Sequence, residues 1–433
     1  MKKLGTVFLT AAFLLSTLGA CSASGQAETT TATGAATTAA AATTTAAAAE
    51  AETGAETSAA ATTEAATTEA ADEDGVSTVA TTADTAEVVR TPIDKDKIII
   101  GVIHITDPSE GSGYTYTHDV GIQEMQATLG LRDDQIIRKN NVSDSDPSAC
   151  ETAIRECIAE GANVIFATSW GYMDTVEAMA EEYPDVVFCH GTGYKSNDTN
   201  FSNYFGRIYQ ARYLSGIVAG MKTTTNKIGY VAAMGQDNSE VTGGIDAFAI
   251  GVESVNPDAK IYVKVTNSWF APEEESNAAI ALIGEGCDVI AQHCDTPNPQ
   301  LAAEDAGVYG VGYNSDMSKD APGAVLTSVV WDWGVYYTQA VQQVIDGTWT
   351  PTVYYGGMAD GLVDISPLSD LVAEGTAEKV EAARAAILDG SFNVFDGVLE
   401  TNDGQTIGTE GGTLDDTTIK SGINWYYRNV VAD

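Results

Sequence analysis

From Lys97 onwards, short apolar runs alternate along the chain with longer segments of helical periodicity. KIIIGVIHI at 97–105 is followed by YTHDVGIQEMQATLG, a predicted helix that Gly130 closes. NVIFATS and DVVFCHGTG are further predicted strands, and the helix between QIIRKNNV and NVIFATS has Pro147 near its start and Gly161 just past its end. Strands that alternate with helices predict a parallel sheet covered on both faces.

The same alternation begins again at Asn226 with NKIGYVAAM, AKIYVKVTNSWF, CDVIAQHCDTP and VYGVGYNSDM as strands. EGANVI at 160–165 and EGCDVI at 285–290 are nearly the same passage. The sequence therefore predicts an α/β protein of two similar lobes, with parallel sheets flanked by helices and a ligand cleft between the lobes. Lobe 1 is predicted over 96–207 plus about 330–357, and lobe 2 over 208–329 plus part of 358–433, with hinges at 207–210 and 328–331. Within this tail, 367–390 is predicted to be helical and 392–405 to form a closing hairpin.

The first residues carry two lysines, a short apolar run and small residues, which is the layout of a secretory signal peptide over 1–21. Leu18-Gly19-Ala20-Cys21 resembles the lipobox of bacterial lipoproteins and predicts a lipid anchor on Cys21, at the extracytoplasmic face of the membrane. Residues 22–95, rich in Ala and Thr, are predicted to be a disordered tether because they offer too little apolar surface to offset ordering entropy.

Charge and cysteine content exclude several classes of function. The formal net charge of −40, from 61 acidic and 21 basic residues, excludes a nucleic-acid-binding surface. Five cysteines remain besides Cys21; their odd number and the lack of a C-x-x-C pattern predict buried free thiols and no zinc site. No G-x-S-x-G, H-E-x-x-H or P-loop motif is present, so neither catalysis nor a cofactor is predicted.

Candidate ligand-binding residues follow the predicted strands, because ligands of open parallel sheets bind beyond the carboxyl ends of the strands. Counted from the capping glycines, Trp170 in one lobe takes the place that Asp295 takes in the other. Thr117 is predicted to cap the first helix, and the adjacent His118 and Asp119 fit a structural hydrogen bond better than an acid–base pair. A single aromatic residue at such a place usually packs in the core. Because aromatic and Asp or Asn side chains recur at several strand ends, ligand binding is favoured here, with a ring of the ligand stacked on an aromatic side chain. The candidates are Tyr114, Tyr116, His118, Asp119, Trp170, Tyr172, Asn267, Trp269, Asp295, Asn314, Asp316 and Trp331.

Several motifs resemble the basic membrane protein (BMP) family of ABC-transporter substrate-binding lipoproteins, the PnrA-like group. They include GYTYTHDVG, NYFGRIYQARYLSGIVAG, NSWFAP and GYNSDMS, and the likeness runs from about Lys97 to near Asp433. It implies a type I periplasmic-binding-protein fold, capture of a purine nucleoside or nucleobase, and delivery to a membrane permease. By resemblance, ligand-contacting positions are Tyr114, Asp119, Trp170, Trp269, Asp295, Asn314 and Asp316. Tyr-Thr-His-Asp stands where nucleoside-binding members often have Asp-Asn or Phe-Asn, so nucleobase and nucleoside both remain open.

Three classes of function remain at this point. The first is a monomeric purine receptor of an ABC importer, which the aromatic and acidic strand ends favour. The second is a sugar receptor of the same fold, for which Arg207 and Arg212 are the candidate cleft arginines. The third is an extracellular enzyme or an adhesive lipoprotein, which the long tether would also suit.

Overall fold

The computed structural model describes residues 90–432, so the predicted signal peptide, Cys21 and most of the predicted tether lie outside the described residues. Residues 90–95, which composition assigns to the tether, contact the folded part instead. Arg90 Nη2 donates to the carbonyl of Thr199 at 2.9 Å, and its guanidinium lies 5.1 Å from the ring centre of Trp349. The tether prediction therefore extends too far. Among residues 90–432, none of the helices has the length and apolar character needed to cross a membrane.

Strands and helices alternate through most of the described chain. The strands are β1 (Ile100–Ile103), β2 (Ile136–Lys139), β3 (Val164–Ala167), β4 (Val187–Gly191), β5 (Phe201–Gly206), β6 (Lys227–Ala232), β7 (Lys260–Val265), β8 (Val289–His293), β9 (Tyr309–Asn314), β10 (Val325–Trp331), β11 (Tyr354–Gly356), β12 (Val363–Ile365), β13 (Asp396–Glu400), β14 (Thr406–Thr413) and β15 (Val430–Ala432). The α-helices are α1 (Gly113–Leu129), α2 (Pro147–Ala159), α3 (Met173–Glu182), α4 (Ile208–Lys222), α5 (Ser239–Val255), α6 (Pro272–Gly284), α7 (Asn298–Ala306), α8 (Trp333–Asp346), α9 (Thr376–Leu388) and α10 (Asp416–Ser421).

Two parallel sheets form the two lobes, and the predicted fold class is confirmed. The first lobe has six strands in the order β11-β5-β4-β3-β1-β2, all parallel. The second has seven in the order β12-β10-β9-β8-β6-β7-β15, of which only the edge strand β12 is antiparallel to its neighbour. β13 and β14 form a hairpin, which starts within the predicted segment 392–405 but has its second strand beyond that segment.

Each sheet is buried on both faces, which explains its continuous apolar strands. Val102 and Ile103 are adjacent in β1 and point to opposite faces, where they belong to separate apolar clusters. Helices α1 and α8 pack on one face of the first sheet and α2 and α3 on the other. In the second lobe, α4 and α5 cover one face and α6 and α7 the other. The strand ends are therefore the part of each sheet that remains open to a ligand.

The C-terminal tail corrects one prediction. Residues 367–375 are not helical, and only α9 forms within the segment predicted to be one helix. The reason is tertiary pairing, because the backbone N–H groups of Ser366 and Ser369 donate to carbonyls of β10 at 2.8 and 2.9 Å. Gly375, with a φ of +79°, then precedes the helix. β12 and β15 pair within the second sheet, and α9 and α10 pack on α4 and α5, so the tail lies mostly with the second lobe.

The five cysteines of the described chain are free and buried, as predicted: Cys150, Cys157, Cys189, Cys287 and Cys294. Burial raises the pKa of the Cys150, Cys157 and Cys287 thiols to about 12. Since the thiolate is the reactive form, these side chains behave as small apolar residues.

Close contact between α4 and α5 depends on glycine. A Cβ at Gly216 would overlap the carbonyl oxygen of Phe248, and one at Gly251 would overlap the carbonyl oxygen of Tyr213. We expect Gly216→Ala to lower the free energy of unfolding by about 2 kcal/mol, because overpacking forces the helices apart. Gly284→Ala in α6 is the matched control, since its Cβ would meet nothing within 4 Å. Urea denaturation of both variants tests this, and equal losses would contradict it.

Candidate functional site

Residues that follow strands of the two sheets meet across the contact between the lobes. The backbone N–H of Gly113, after β1, donates to Oγ of Ser315, after β9, at 3.2 Å. The hydroxyl of Ser112 donates to a carboxylate oxygen of Asp320 at 3.1 Å. The strand ends where open α/β sheets bind ligands therefore lie together in this protein.

A small cavity lies between the lobes beside these contacts and has a volume of about 10 Å³. Its lining residues are Ile105, Thr106, Ser112, Tyr114 and Thr115 of the first lobe and Phe270 and Asp295 of the second. Ligand pockets measure roughly 300 to 1,000 Å³, so this cavity is too small for a ligand, and the lobes would have to separate at this contact to admit one.

Asp295 supplies the carboxylate of the cavity wall. Asn314 Nδ2 donates to one of its oxygens at 2.9 Å, and the backbone N–H of Asp295 donates to the carbonyl of Trp269 at 2.8 Å. Asn314 has a φ of +67°, in the left-handed region that asparagine tolerates better than most residues. The second oxygen of Asp295 accepts no hydrogen bond from residues 90–432, so a donor on a ligand can use it.

Burial raises the pKa of Asp295 well above its usual value, against the opposing effect of the Asn314 hydrogen bond. The carboxylates of Glu275 and Glu240 act in the same direction as burial. A ligand N–H that donates to Asp295 would stabilise its ionised form, because a hydrogen bond to a carboxylate offsets lost hydration.

The first-lobe wall has one candidate ring in the cavity and one outside it. The hydroxyl of Tyr114 donates to the carbonyl of Thr168, which holds the ring in place, and its edge meets His118 at a centroid distance of 4.4 Å. Trp170 lies in the turn after β3, does not line the cavity, and is 57% exposed.

Three candidates lie in the core of the first lobe and not on the cavity wall. Tyr172 is fully buried, and its hydroxyl donates to the carbonyl of Val142 at 2.6 Å. His118 is stacked on Trp333 at 4.5 Å, and its Nδ1 lies 2.6 Å from the hydroxyl of Tyr337. Asp119 accepts from Arg138 at 2.6 Å. His118 and Asp119 therefore bond to different partners, and we leave these three residues out of the site that we propose.

Hydrogen bonds from neighbouring side chains shift the pKa of Asp119. Burial acts to raise it, but hydrogen bonds from His104, Arg138 and Gln123 outweigh burial and hold the pKa of Asp119 below its usual value. The prediction that Thr117 caps the first helix is wrong, because α1 begins four residues earlier at Gly113. Its hydroxyl donates to the carbonyl of Trp331 at 3.3 Å instead.

Four other candidates lie around the cavity without lining it. Tyr116 is half-buried on α1, and Trp269 is half-buried with its ring 5.8 Å from that of His293. Asn267 is exposed with a φ of +55°. Asp316 accepts the backbone N–H of Ser318 at 3.0 Å and so caps the turn after β9.

Trp331 is buried at the end of β10, where the chain leaves the second sheet for α8. Its indole stacks on Trp333 at 4.3 Å, and Trp333 stacks on His118, so three rings form one column. The indole N–H donates to the hydroxyl of Tyr313 at 3.3 Å. This packing belongs to the connection between the lobes more than to a ligand wall.

Glu240 was not among the residues predicted from the sequence, and Arg212 was named only as a candidate for a sugar site. Arg212 is fully buried on α4, and its Nη1 donates to the carbonyl of Gln292 at 2.6 Å. Glu240 is in the first turn of α5, with an oxygen 3.7 Å from Nε2 of the buried His293. The rule that ligands bind beyond the carboxyl ends of parallel strands, here called the strand-end rule, would have found Glu240, since α5 follows β6. In the sequence, Arg212 was visible only as a single charged residue in an apolar helix.

Glu240 should make stability depend on pH near neutrality. Burial raises its pKa to about 7, against the opposing charge of Arg212. A carboxyl group with a raised pKa keeps its proton in the folded protein after the unfolded chain has lost it, so stability falls as pH rises towards and through that value. From about pH 6 to about pH 8, we expect this group to lower the free energy of unfolding by about 1 kcal/mol.

Urea denaturation across this pH range checks the expectation. Glu240→Gln should remove the loss, whereas Glu378→Gln, which changes an exposed carboxyl group, should keep it. If the free energy of unfolding of Glu240→Gln still falls between about pH 6 and about pH 8, then another group causes the pH dependence.

Comparisons with known proteins identify the family of this chain. Residues 98–394 match the family model Bmp, described as the PnrA-like substrate-binding protein of ABC transporters. A purine-binding protein of Brucella abortus is 37% identical over 336 residues, which are 78% of this chain and 93% of that protein. A provisionally assigned ABC transporter glucose-binding protein of Haloferax volcanii, TsgA13, is 38% identical over 66% of this chain and 71% of that protein.

A similar fold is found among solved structures. A solved solute-binding protein of an ABC transporter system from Conexibacter woesei superimposes with a TM-score of 0.56 at 18% identity, over 68% of this chain and 98% of that one. The resemblance found in the sequence motifs is confirmed, and the chain belongs to the PnrA-like Bmp family of ABC transporter substrate-binding proteins.

Proposed function

We propose that this protein captures a purine nucleobase or nucleoside between its lobes, without chemical change, and delivers it to an ABC permease. Proteins of this family bind substrates for ABC transporters on the extracytoplasmic side. The observation that carries the proposal is the pairing of Asp295 and Asn314 at a cavity that Tyr114 and Phe270 also line. A purine has apolar faces that suit aromatic rings and an edge of donors and acceptors that suits carboxylate and amide groups.

The similarity to the Brucella abortus purine-binding protein supports the same ligand class. We include in the proposed site Tyr114, Trp170, Asp295 and Asn314, with Tyr116, Asn267, Trp269 and Asp316 around it. Closure of the lobes would exclude water from these hydrogen bonds, so that a mismatched purine edge would leave buried groups unpaired. The proposal thus explains why polar groups stand in a closed cavity.

We also propose that the protein acts as a monomer attached to the membrane through lipid on Cys21, with residues from 22 onwards as the tether. The partners are then the purine, the permease and the membrane, and nucleic acid is excluded by the charge of −40. Globomycin-sensitive processing and labelling of the chain with radioactive palmitate would test the anchor, and Cys21→Ser should abolish both.

Calorimetric titration tests the ligand class. The full chain is unfolded and refolded to remove carried-over ligand, then titrated with adenine, guanine, hypoxanthine, adenosine, guanosine, ribose and glucose. Binding of a base or nucleoside with a Kd of about 1 μM or tighter is the expected result. Failure of every purine to bind would overturn the proposal.

Trp170→Ala should weaken purine binding by about tenfold, since stacking of a base on an aromatic ring contributes roughly 1 to 3 kcal/mol. Trp170→Phe keeps a ring and should lose much less. Titration of both variants with the purine that the wild type binds best separates stacking from general damage, and an unchanged Kd in Trp170→Ala would remove this residue from the site.

A sugar receptor of the same fold is the second candidate. The similarity to the Haloferax volcanii protein favours it, as do the unpaired donors of the buried Arg212, since sugar hydroxyl groups accept hydrogen bonds from arginine. In the same titrations, binding of glucose or ribose without any purine would establish this candidate in place of the first.

A further inference from the structure

The guanidinium of Arg212 is buried with few partners. Its Nη1 donates to the carbonyl of Gln292, and its carbon lies 4.1 Å from the ring centre of Tyr313. Nε and Nη2 have no hydrogen-bond partner among residues 90–432, and the side chain is 0% exposed. Arg212 also forms no ion pair with a carboxylate of these residues. Buried charged donors without acceptors are costly, so this arrangement indicates that an acceptor is supplied from outside the chain.

The same region holds other buried polar atoms without partners. Among residues 90–432, these atoms without a hydrogen-bond partner lie on three adjacent strands of the second sheet: the hydroxyl of Tyr230 within β6, both ring nitrogens of His293 at the end of β8 and the side-chain oxygen of Asn314 at the end of β9. His293 and Tyr313 are in edge contact at 4.8 Å. Arg212 packs on Tyr313, which directly precedes Asn314 in β9, and Asn314 bonds to Asp295, so one residue step of β9 separates the Arg212 contact from the cavity carboxylate.

The donors of Arg212 face the side of α5 that begins at the cleft. Its Nε lies 3.6 Å from the place that a Cβ on Gly244 would occupy, and the same Cβ would meet the ring of His293. Glu240 stands one turn earlier in α5. The second lobe thus offers two kinds of group: unpartnered donors on the buried Arg212 and, at the cavity, an acceptor on Asp295.

We propose that Arg212 selects 6-oxopurines, with its free guanidinium N–H groups donating to O6 and N7 while Asp295 accepts from a ring N–H. This inference rests on the proposed function and names its ligand more narrowly. Arginine donates to O6 and N7 of guanine in the same paired way in protein–DNA contacts. Adenine keeps the N7 acceptor but carries an amino donor at position 6, which would meet the second Arg212 donor and leave it unpaired.

The test compares hypoxanthine with adenine, two purines that differ at position 6 and N1, by calorimetric titration of the full chain. The wild type should bind hypoxanthine at least about tenfold more tightly than adenine. Arg212→Gln should bring the two dissociation constants together. Arg132→Gln, an arginine 52% exposed on the first lobe, is the matched control and should keep the preference.

Arg212→Lys is the second variant, in case the glutamine variant does not fold, because lysine keeps the charge but not the planar pair of donors. It should also lose most of the preference, whereas a merely structural arginine would leave the ratio of the two affinities unchanged. Equal or tighter binding of adenine by the wild type would overturn this inference and leave the purine receptor standing. A preference that survives in both variants would overturn the role of Arg212, and failure of all purines to bind would overturn the proposed function itself.

Discussion

Gly113→Ala should weaken ligand binding by about 100-fold, because the variant cannot close its lobes as the wild type does. Gly113 begins α1 with a φ of +82°, and a Cβ there would overlap the carbonyl oxygen of Asp295 on the opposite lobe. The clash arises at the contact between the lobes, so it opposes their closure around a ligand. Calorimetric titration with the purine that the wild type binds best measures the loss.

Gly111→Ala is a closely matched control for this prediction. Gly111 has a φ of +79°, so alanine meets the same backbone strain, but its Cβ would have nothing within 4 Å. The control should therefore lose some stability and little affinity. Small-angle scattering with saturating ligand should show compaction for the wild type and Gly111→Ala and none for Gly113→Ala. Similar affinities for the two variants would contradict the role of this contact in closure.

Asp295→Asn should weaken purine binding by about 30-fold or more, since a hydrogen bond to a charged group contributes about 2 kcal/mol. The substitution keeps the shape of the side chain and one oxygen for Asn314 Nδ2, which donates to Asp295 at 2.9 Å. It replaces the other oxygen, an acceptor for the ligand, with an amide donor. Titration with hypoxanthine and guanine measures the effect.

Asp389→Asn is the control for the change in net charge, because this carboxyl group is on the surface after α9. It should bind ligand as the wild type does. If Asp295→Asn binds equally well, then the cavity carboxylate is not the acceptor, and the site must be sought elsewhere in the cleft.

The strand-end rule placed Asp295 at the cavity but could not separate Trp170 from Tyr172. The two are in one short turn after β3, and yet Trp170 is 57% exposed and Tyr172 is fully buried. Their difference follows from Val142, a residue far along the chain, whose carbonyl accepts the hydroxyl of Tyr172. Sequence periodicity describes neighbours along the chain and contains no information about such a partner.

The environment of Arg212 also could not be predicted from the sequence. A charged residue in the apolar segment RYLSGIVAG is visible in the sequence, but its missing hydrogen-bond partners depend on how α4, α5 and the ends of β8 and β9 pack together. The raised pKa of Glu240 has the same origin, because burial by those elements causes it.

The sequence by itself determined the alternation of strands and helices, the two lobes, the hairpin of β13 and β14 and the family, since local periodicity, glycine and proline positions and motifs carry that information. The tertiary structure alone decided that 367–375 is not helical and bonds to β10 through Ser369, and that His118 and Asp119 bond to separate partners. It also decided that Asp295 lines a cavity between the lobes and that Arg212 is buried with unpaired donors. The physical reason is that burial and hydrogen bonding depend on residues brought together from distant parts of the chain, whose combined packing outweighs local preference.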